Sequence, residues 1–186
     1  TDSKDDDEKI ENLYKKFENN NSELSHFNLT SSVNSFSEWL LSKDLVYVGG
    51  GNTSFMLEIW RKNNFEQLFK IAYEKGIILS GVSAGAVCWF DWILSDSKGL
   101  GFKPLKGINL IEGSCTPHSS NIERINEFKL NIKNNKLPNG IAIDDGVAVV
   151  FIDGKPTEVY STVDNQGAYF LDKNKKINLK EYIKNR

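Results

Sequence analysis

The sequence predicts an α/β protein with a mostly parallel sheet, and three observations lead to this class. Short apolar segments alternate with amphipathic helical segments along most of the chain. Two of the apolar segments run directly into glycine-rich turns, and a hairpin pattern appears only near the C-terminal end. Strands that alternate with helices form parallel sheets covered on both faces. We therefore expect a three-layer α/β/α arrangement.

The composition is that of a single globular domain over residues 1–186. With 39% hydrophobic and 26% charged residues, a chain of 186 residues is long enough to bury its own core. The net charge of −2 gives no basic footprint for nucleic acid or for an anionic membrane surface. Two cysteines are too few for a disulfide scaffold or a four-cysteine zinc site, so we expect reduced thiols and a cytoplasmic location.

The order of elements follows from periodicity and turn residues. Apolar residues at helical spacing over 10–17 predict an amphipathic helix, and the sequence HFNL that follows predicts a strand. A doubly wound domain usually begins with a strand, so we expect that one or more N-terminal strands are missing from this chain. The remaining predictions are a short helix over 35–43, a buried strand, turn and helix over 44–60, a helix over 65–73, a strand from 77, a hairpin turning at Asp153-Gly154, a strand over 168–172 and a final short helix over 178–186.

The segment KGIILSGVSAGAVCWF, residues 75–90, carries the clearest chemical signal. Gly81-Val82-Ser83-Ala84-Gly85 fits the pattern Gly-x-Ser-x-Gly between an apolar strand and a helix. A serine on such a sharp turn is exposed and strained, and the residues beside it must be small. The alternative is a glycine-rich turn with an incidental serine. We interpret Ser83 as a nucleophile, with a backbone N–H of the following turn available to an oxyanion.

A serine nucleophile needs a base, and the chain has only two histidines. His118 follows a predicted strand end and turn, where side chains reach the carboxyl edge of a parallel sheet. His26 lies in the early part of the chain and is predicted to be structural. We therefore predict His118 as the base.

The base in turn needs an orienting carboxylate. We considered the acids between Ser83 and His118, of which Asp91 is expected in mid-helix and Glu112 on a strand. Asp96 lies in the polar turn LSDSKG and could fold back toward the elbow. Asp96 is therefore the predicted third member of the triad, with Glu112 as the second choice.

A second oxyanion donor should come from a neighbouring strand-to-helix turn. The segment VGGGNTS, residues 48–54, is the candidate, because glycines let the backbone approach a ligand closely. It lacks the spacing of a dinucleotide fingerprint and the lysine of a P-loop. A generic tight turn is the alternative interpretation.

Together, VYVGGGNTSFML and GIILSGVSAGAVCWF resemble the peptidase E (aspartyl dipeptidase) and cyanophycinase family of serine peptidases, closest to an uncharacterised peptidase E-like branch. The resemblance extends over about residues 2–171. It implies a class I glutamine amidotransferase-like α/β fold, with N-terminal strands that this chain lacks. It also implies a triad of Ser83, His118 and Asp96, and an oxyanion hole formed by the amides of Gly51 and Ala84.

The resemblance further implies hydrolysis of short peptides through an acyl-enzyme, with no metal or organic cofactor. A family member that cleaves dipeptides with N-terminal aspartate needs a cation for that side chain and an anion for the α-ammonium. Arg124 is a candidate carboxylate clamp and Asp145, with Asp144, a candidate ammonium ligand. Asn52 is a candidate lining residue. The expected partner is a small peptide substrate. A homodimer is also compatible with the sequence.

Three other functions are alternatives to this one. An esterase of the α/β-hydrolase type would use the same elbow, but only 103 residues follow Ser83 and the turn over 48–54 has no part in that fold. A non-catalytic relative could bind peptides or a partner through the same pocket. A glutamine amidotransferase would carry cysteine at position 83, where this chain has serine.

Overall fold

The computed structural model of the protein describes residues 7–29 and 35–184. Its strands are β1 Leu45–Val48, β2 Ile78–Gly81, β3 Phe90–Ser95, β4 Lys103–Lys106, β5 Ile111–Thr116, β6 Gly140–Ile143, β7 Val147–Ile152, β8 Lys155–Ser161, β9 Ala168–Leu171 and β10 Lys176–Asn178. Its helices are α1 Asp7–Phe17, α2 Phe36–Leu41, α3 Thr53–Lys62, α4 Phe65–Glu74, α5 Ala84–Val87, α6 Ile122–Lys133 and α7 Leu179–Lys184.

The predicted α/β class is confirmed, with parallel strands at the centre and helices beside them. Strands β3, β5 and β6 are parallel neighbours in a six-stranded sheet of order β10-β9-β6-β5-β3-β4, and its outer pairs are antiparallel. Strands β1 and β2 form a separate parallel pair, and β7 and β8 form the predicted hairpin across Asp153-Gly154. In open α/β sheets, ligands generally bind at the loops that follow the carboxyl ends of parallel strands.

Three local predictions differ from the structure. Residues 26–29 form no strand in the described chain, and Phe27 instead packs its ring against Phe36 and Trp39, at 5.3 and 5.5 Å between centroids. Strand β1 is only partly buried, with Leu45 exposed on the face opposite the buried Val46. Asp91 lies on β3 rather than in mid-helix, since α5 ends at Val87 and the backbone then pairs with residues 107–111.

The main core contains an aromatic cluster where α3 and α4 pack against the chain that follows α5. The rings of Trp60 and Phe69 are 4.4 Å apart between centroids, and Phe69 meets Trp89 edge-on at 5.4 Å. All three side chains are buried. This cluster holds the two helices that follow β1 and precede β2, and so it supports both turns of the predicted site. Within residues 7–29 and 35–184, every helix is too short or too polar to cross a bilayer.

Replacing Phe69 with alanine should lower the free energy of unfolding by about 3–5 kcal/mol, since it removes a fully buried ring and leaves a cavity among aromatic neighbours. Tyr73→Ala is the matched control, because Tyr73 lies one turn later on α4 and is 37% exposed. Urea unfolding of both variants measures the difference. An equal loss of unfolding free energy in the two variants would show that the ring cluster is not the main support of α4.

Candidate active site

Ser83 lies on a strained turn between β2 and α5, as the Gly-x-Ser-x-Gly pattern predicted. Its φ of 54° and ψ of −115° place a non-glycine residue in a sparsely populated conformation. A methyl group on Gly85 would overlap the Val48 carbonyl oxygen, and one on Gly81 would overlap the Gly85 carbonyl oxygen. Only glycine fits at both positions, so the sequence pattern is a requirement of the close packing between β1, β2 and α5.

The Ser83 hydroxyl is hydrogen-bonded to the predicted base. The distance from Ser83 Oγ to His118 Nε2 is 2.9 Å, although the two residues are 35 positions apart in the chain. His118 lies just beyond β5 and also has a positive φ, of 53°. Non-glycine residues held in such conformations cluster at functional sites.

The other nitrogen of the imidazole is bound by Asp145, in the turn after β6. His118 Nδ1 forms a short hydrogen bond and ion pair with Asp145 Oδ1. An ionised carboxylate can only accept hydrogen bonds, so Nδ1 is the donor in this contact. In a neutral imidazole, the single N–H is therefore at Nδ1. His118 Nε2 is then left as an acceptor facing Ser83, the tautomer that a general base requires.

The loops that carry His118 and Asp145 are tied together by serine side chains. The backbone N–H of Ser119 donates to Ile143 O at 3.0 Å, and its hydroxyl donates to the buried Asp144 at 2.5 Å. The hydroxyl of Ser120 donates to Asp145 Oδ2 at 2.8 Å. The loop after β5 thus binds one oxygen of Asp144 and both oxygens of Asp145.

These contacts hold Asp145 in its charged form. Hydrogen bonds from His118 and then Ser120 lower the pKa of the Asp145 carboxyl below its ordinary value, and Arg124 adds a weaker attraction. The side chain of Asp145 is 59% exposed, so solvent screens these interactions. The direction of the shift favours the carboxylate form, because both hydrogen bonds are donated to its charged oxygens.

The prediction of Asp96 as the acid is not supported by this geometry. Asp96 follows β3, and its Oδ2 accepts from Arg124 Nη2 at 2.7 Å instead of from His118. Glu112, the second choice, lies exposed on β5. Both of these acids lie between Ser83 and His118 in the chain. The partner came from beyond His118, because β6 runs parallel beside β5 and ends at the same edge of the sheet.

Arg124 is also placed differently from the prediction of a carboxylate clamp. It lies in the first turn of α6 with only 8% of its side chain exposed. Besides Asp96, its guanidinium contacts the Leu94 carbonyl oxygen at 3.4 Å and lies over the Phe102 ring at 4.6 Å from the centroid. A buried cation with these partners joins α6 to β3 and is not available to a substrate.

Two further candidates are occupied by local contacts. The Asn52 side chain caps α3, with Oδ1 accepting from the Phe55 N–H at 2.9 Å. Asp144, the neighbour proposed with Asp145 as an ammonium ligand, is 7% exposed and accepts from Ser119 and from the Gly167 N–H. Asp145 itself is engaged by His118 and Ser120. The predicted ammonium site therefore lacks a free carboxylate.

The two residues predicted for the oxyanion hole lie at the ends of adjacent strands. Gly51 follows β1, and Ala84 is the first residue of α5, where a backbone N–H has no intrahelical acceptor. Since α5 has 4 residues, its dipole is small and the N–H itself must provide the stabilisation. Gly50, beside Gly51, approaches Ser83 closely, because a methyl group there would lie 3.0 Å from Ser83 Cβ.

Other reactive groups in the described residues are not arranged for this chemistry. Cys115 lies on β5, three positions before His118, and complete burial raises the pKa of its thiol far above the usual range. No cluster of three histidine, cysteine or acidic side chains among residues 7–29 and 35–184 could hold a metal ion.

Ser119, Ser120 and the role of Asp145 were missed by the sequence reasoning. Two signals were present, a pair of acids directly after the apolar segment of β6 and a pair of serines directly after His118. Both pairs follow neighbouring parallel strands, so their side chains converge at one edge of the sheet.

Comparison with known proteins places this site in context. The model of Peptidase family S51 matches residues 1–159. Uncharacterized peptidase YgaJ of Bacillus subtilis is 32% identical over 162 residues, which cover 86% of this chain and 70% of that protein. Uncharacterized peptidase Lmo0363 of Listeria monocytogenes is 29% identical over 98 residues, or 50% of this chain and 48% of that protein.

A solved structure supports the fold. A crystal structure from Listeria monocytogenes EGD-e, provisionally named a peptidase E protein, matches with a TM-score of 0.51. The match covers 82% of this chain and 68% of that chain at 21% identity. The resemblance inferred from the glycine-rich turn and the serine elbow is thereby confirmed.

Replacing Ser120 with alanine should raise the pKa of Asp145 toward that of an ordinary aspartate, because it removes a donor to the charged form. A carboxyl-carbon NMR titration measures this pKa directly. Since the folded-state pKa is the lowered one, the stabilisation is present above the ordinary aspartate pKa and is lost as the pH falls through the folded value. Ser119→Ala is the control, because its hydroxyl donates to Asp144. An unchanged Asp145 titration in Ser120→Ala would contradict the expectation.

Proposed function

The chain belongs to peptidase family S51, and we propose that it is a serine peptidase that hydrolyses short peptides through Ser83, His118 and Asp145. The observation that carries this proposal is the continuous hydrogen-bonded chain from Ser83 Oγ through the imidazole to Asp145. It stands on a strained strand-to-helix turn, which is the context that distinguishes a nucleophile elbow from a chance serine.

The proposed reaction has two stages. His118 Nε2 takes the proton from Ser83 Oγ, which bonds to the peptide carbonyl carbon and gives a tetrahedral oxyanion. The C–N bond then breaks, and His118 gives its proton to the leaving amine. A water molecule repeats these steps on the resulting ester and releases the acid and the free serine. Asp145 keeps the imidazole in the reactive tautomer and stabilises the imidazolium.

The oxyanion would be bound by the N–H groups of Gly51 and Ala84. Each donor in holes of this kind contributes about 2.7–4 kcal/mol to transition-state stabilisation. The close approach of Gly50 to Ser83 supports this part of the proposal, because it brings the turn after β1 against the nucleophile.

The two candidate acids can be separated by matched variants. Asp145→Asn should lower kcat by about 10⁴-fold, because the amide favours the unreactive imidazole tautomer. Asp96→Asn should retain most of the activity and lower the melting temperature instead, because it leaves the buried Arg124 guanidinium without its anion. Peptidase assays and thermal unfolding of both variants measure the two effects. Loss of activity in Asp96→Asn with an unchanged melting temperature would restore Asp96 as the acid.

A fluorophosphonate probe tests the nucleophile and separates the enzyme from a non-catalytic binding relative. Ser83 should be labelled in the wild type, and labelling should be lost in Ser83→Ala. Hydrolysis should fall on the order of 10⁶-fold in the same variant.

A comparison of ester and peptide substrates separates an esterase from a peptidase. A protein that binds peptides but resists the probe would favour the non-catalytic alternative. The cytoplasmic location and the homodimer stay predictions.

A further inference from the structure

We propose that the acyl-side pocket of this site accepts an apolar residue and rejects N-terminal aspartate. This inference rests on the proposed peptidase function and concerns the substrate class of the same site. It starts from a cavity of about 730 Å³ that opens beside the nucleophile. Cavities of this size hold ligands as large as a short peptide.

The cavity runs from the catalytic side chains along β2 and the β7–β8 hairpin. Ser83, His118 and Asp145 line it at one end. Most of the remaining lining is apolar and comes from three regions, namely β2, the chain around Trp89 and Leu110, and strand β7. A side chain of the substrate that enters from Ser83 therefore meets hydrocarbon, and burying it there is favourable by roughly 25 cal/mol per Å² of apolar surface.

The charges that line the cavity are negative. Glu74, Asp144, Asp145 and Asp153 contribute to the wall, and neither lysine nor arginine does. Glu74 and Asp153 are exposed, so their carboxylates act on whatever enters. A substrate carboxylate would lose its hydration and find like charges in place of a cation, which makes its binding unfavourable.

The cation expected to bind such a carboxylate is not available. Arg124 is buried, and its guanidinium is held by Asp96, by the Leu94 carbonyl and by the Phe102 ring. Releasing it would leave Asp96 unpaired and expose the packed face of α6. The same acids that disfavour a carboxylate favour the α-ammonium of a peptide through long-range attraction, without a dedicated ligand.

The edge of β2 can bind the main chain of such a peptide. Every residue from 76 to 83 lines the cavity, and no residue of β1 does. The cavity therefore follows the edge of β2 opposite to the edge that pairs with β1. Within the described chain β2 has no other ladder partner. Backbone donors and acceptors of an edge strand bind extended peptides in any sequence, while the side-chain pocket selects among them.

The first test compares Leu-Leu with Asp-Leu as substrates of the wild type, with Ser83→Ala as the blank. We expect kcat/KM for Leu-Leu to exceed that for Asp-Leu by about tenfold or more, the discrimination that a hydrophobic pocket can give. Serine-dependent cleavage that favours Asp-Leu would overturn the inference and leave the peptidase intact. Failure of the probe to label Ser83, with no cleavage of any peptide, would instead overturn the proposed function on which the inference rests.

The second test adds a cation to the cavity wall. Ala148 is exposed on β7 and lines the cavity, so Ala148→Lys should raise the ratio of kcat/KM for Asp-Leu over Leu-Leu by about two- to fivefold, the range of a solvent-exposed ion pair. Ser161→Lys adds the same charge on β8, outside the lining, and should leave the ratio unchanged. Equal changes in both variants would show that the cavity does not receive the acyl side chain.

The third test removes catalysis from the measurement. Calorimetric titration of Ser83→Ala should show tighter binding of Leu-Leu than of Asp-Leu. The difference should shrink in the double variant Ser83→Ala, Ala148→Lys. Equal affinities for the two dipeptides would contradict an apolar acyl pocket even if hydrolysis were selective.

Discussion

The parallel pairing of β5 with β6 is the constraint on which the site depends. Ser114, Cys115 and Thr116 pair with Gly140, Ile141 and Ala142, so the two strands end side by side. A methyl group on Gly140 would overlap Ser114, which means that the close register requires glycine there. A slip of one residue would turn side chains to the opposite face. The hydrogen bond between the histidine and the acid would then be lost.

Strain at Ser83 and His118, the residues proposed to react, is balanced by ordinary backbone contacts around them. Ser83 and His118 both have positive φ values, which cost about 1–3 kcal/mol each. The Val82 N–H donates to Val48 O at 3.1 Å directly before the serine, and the Ser119 N–H donates to Ile143 O directly after the histidine. The strained residues are thus each one position from a bond that anchors the loop to a neighbouring strand.

How far the sequence could predict this structure depends on how local each feature is. The elbow at Ser83 and the hairpin at Asp153-Gly154 are encoded by a few adjacent residues, and both predictions agree with the structure. The acid beside His118 depends on which strand lies next to β5, which no short pattern specifies. Asp96 is near Ser83 along the chain, but its carboxylate accepts from Arg124, whereas Asp145 lies beside His118 because β6 pairs with β5.

Arg124 is a second residue whose position along the chain did not predict its contacts. An arginine six residues after the base suggested a substrate clamp, yet its guanidinium is bound by Asp96 and packed on Phe102. Its backbone N–H is bound by Asn121, the residue that caps α6 at the end of the histidine loop. The arginine therefore fixes the start of α6 against β3. The end of that loop is fixed with it, so a substrate that displaced the ion pair would disturb His118, the proposed base. In the proposed peptidase, selectivity would then depend on the part of the cavity lined by β2 and β7.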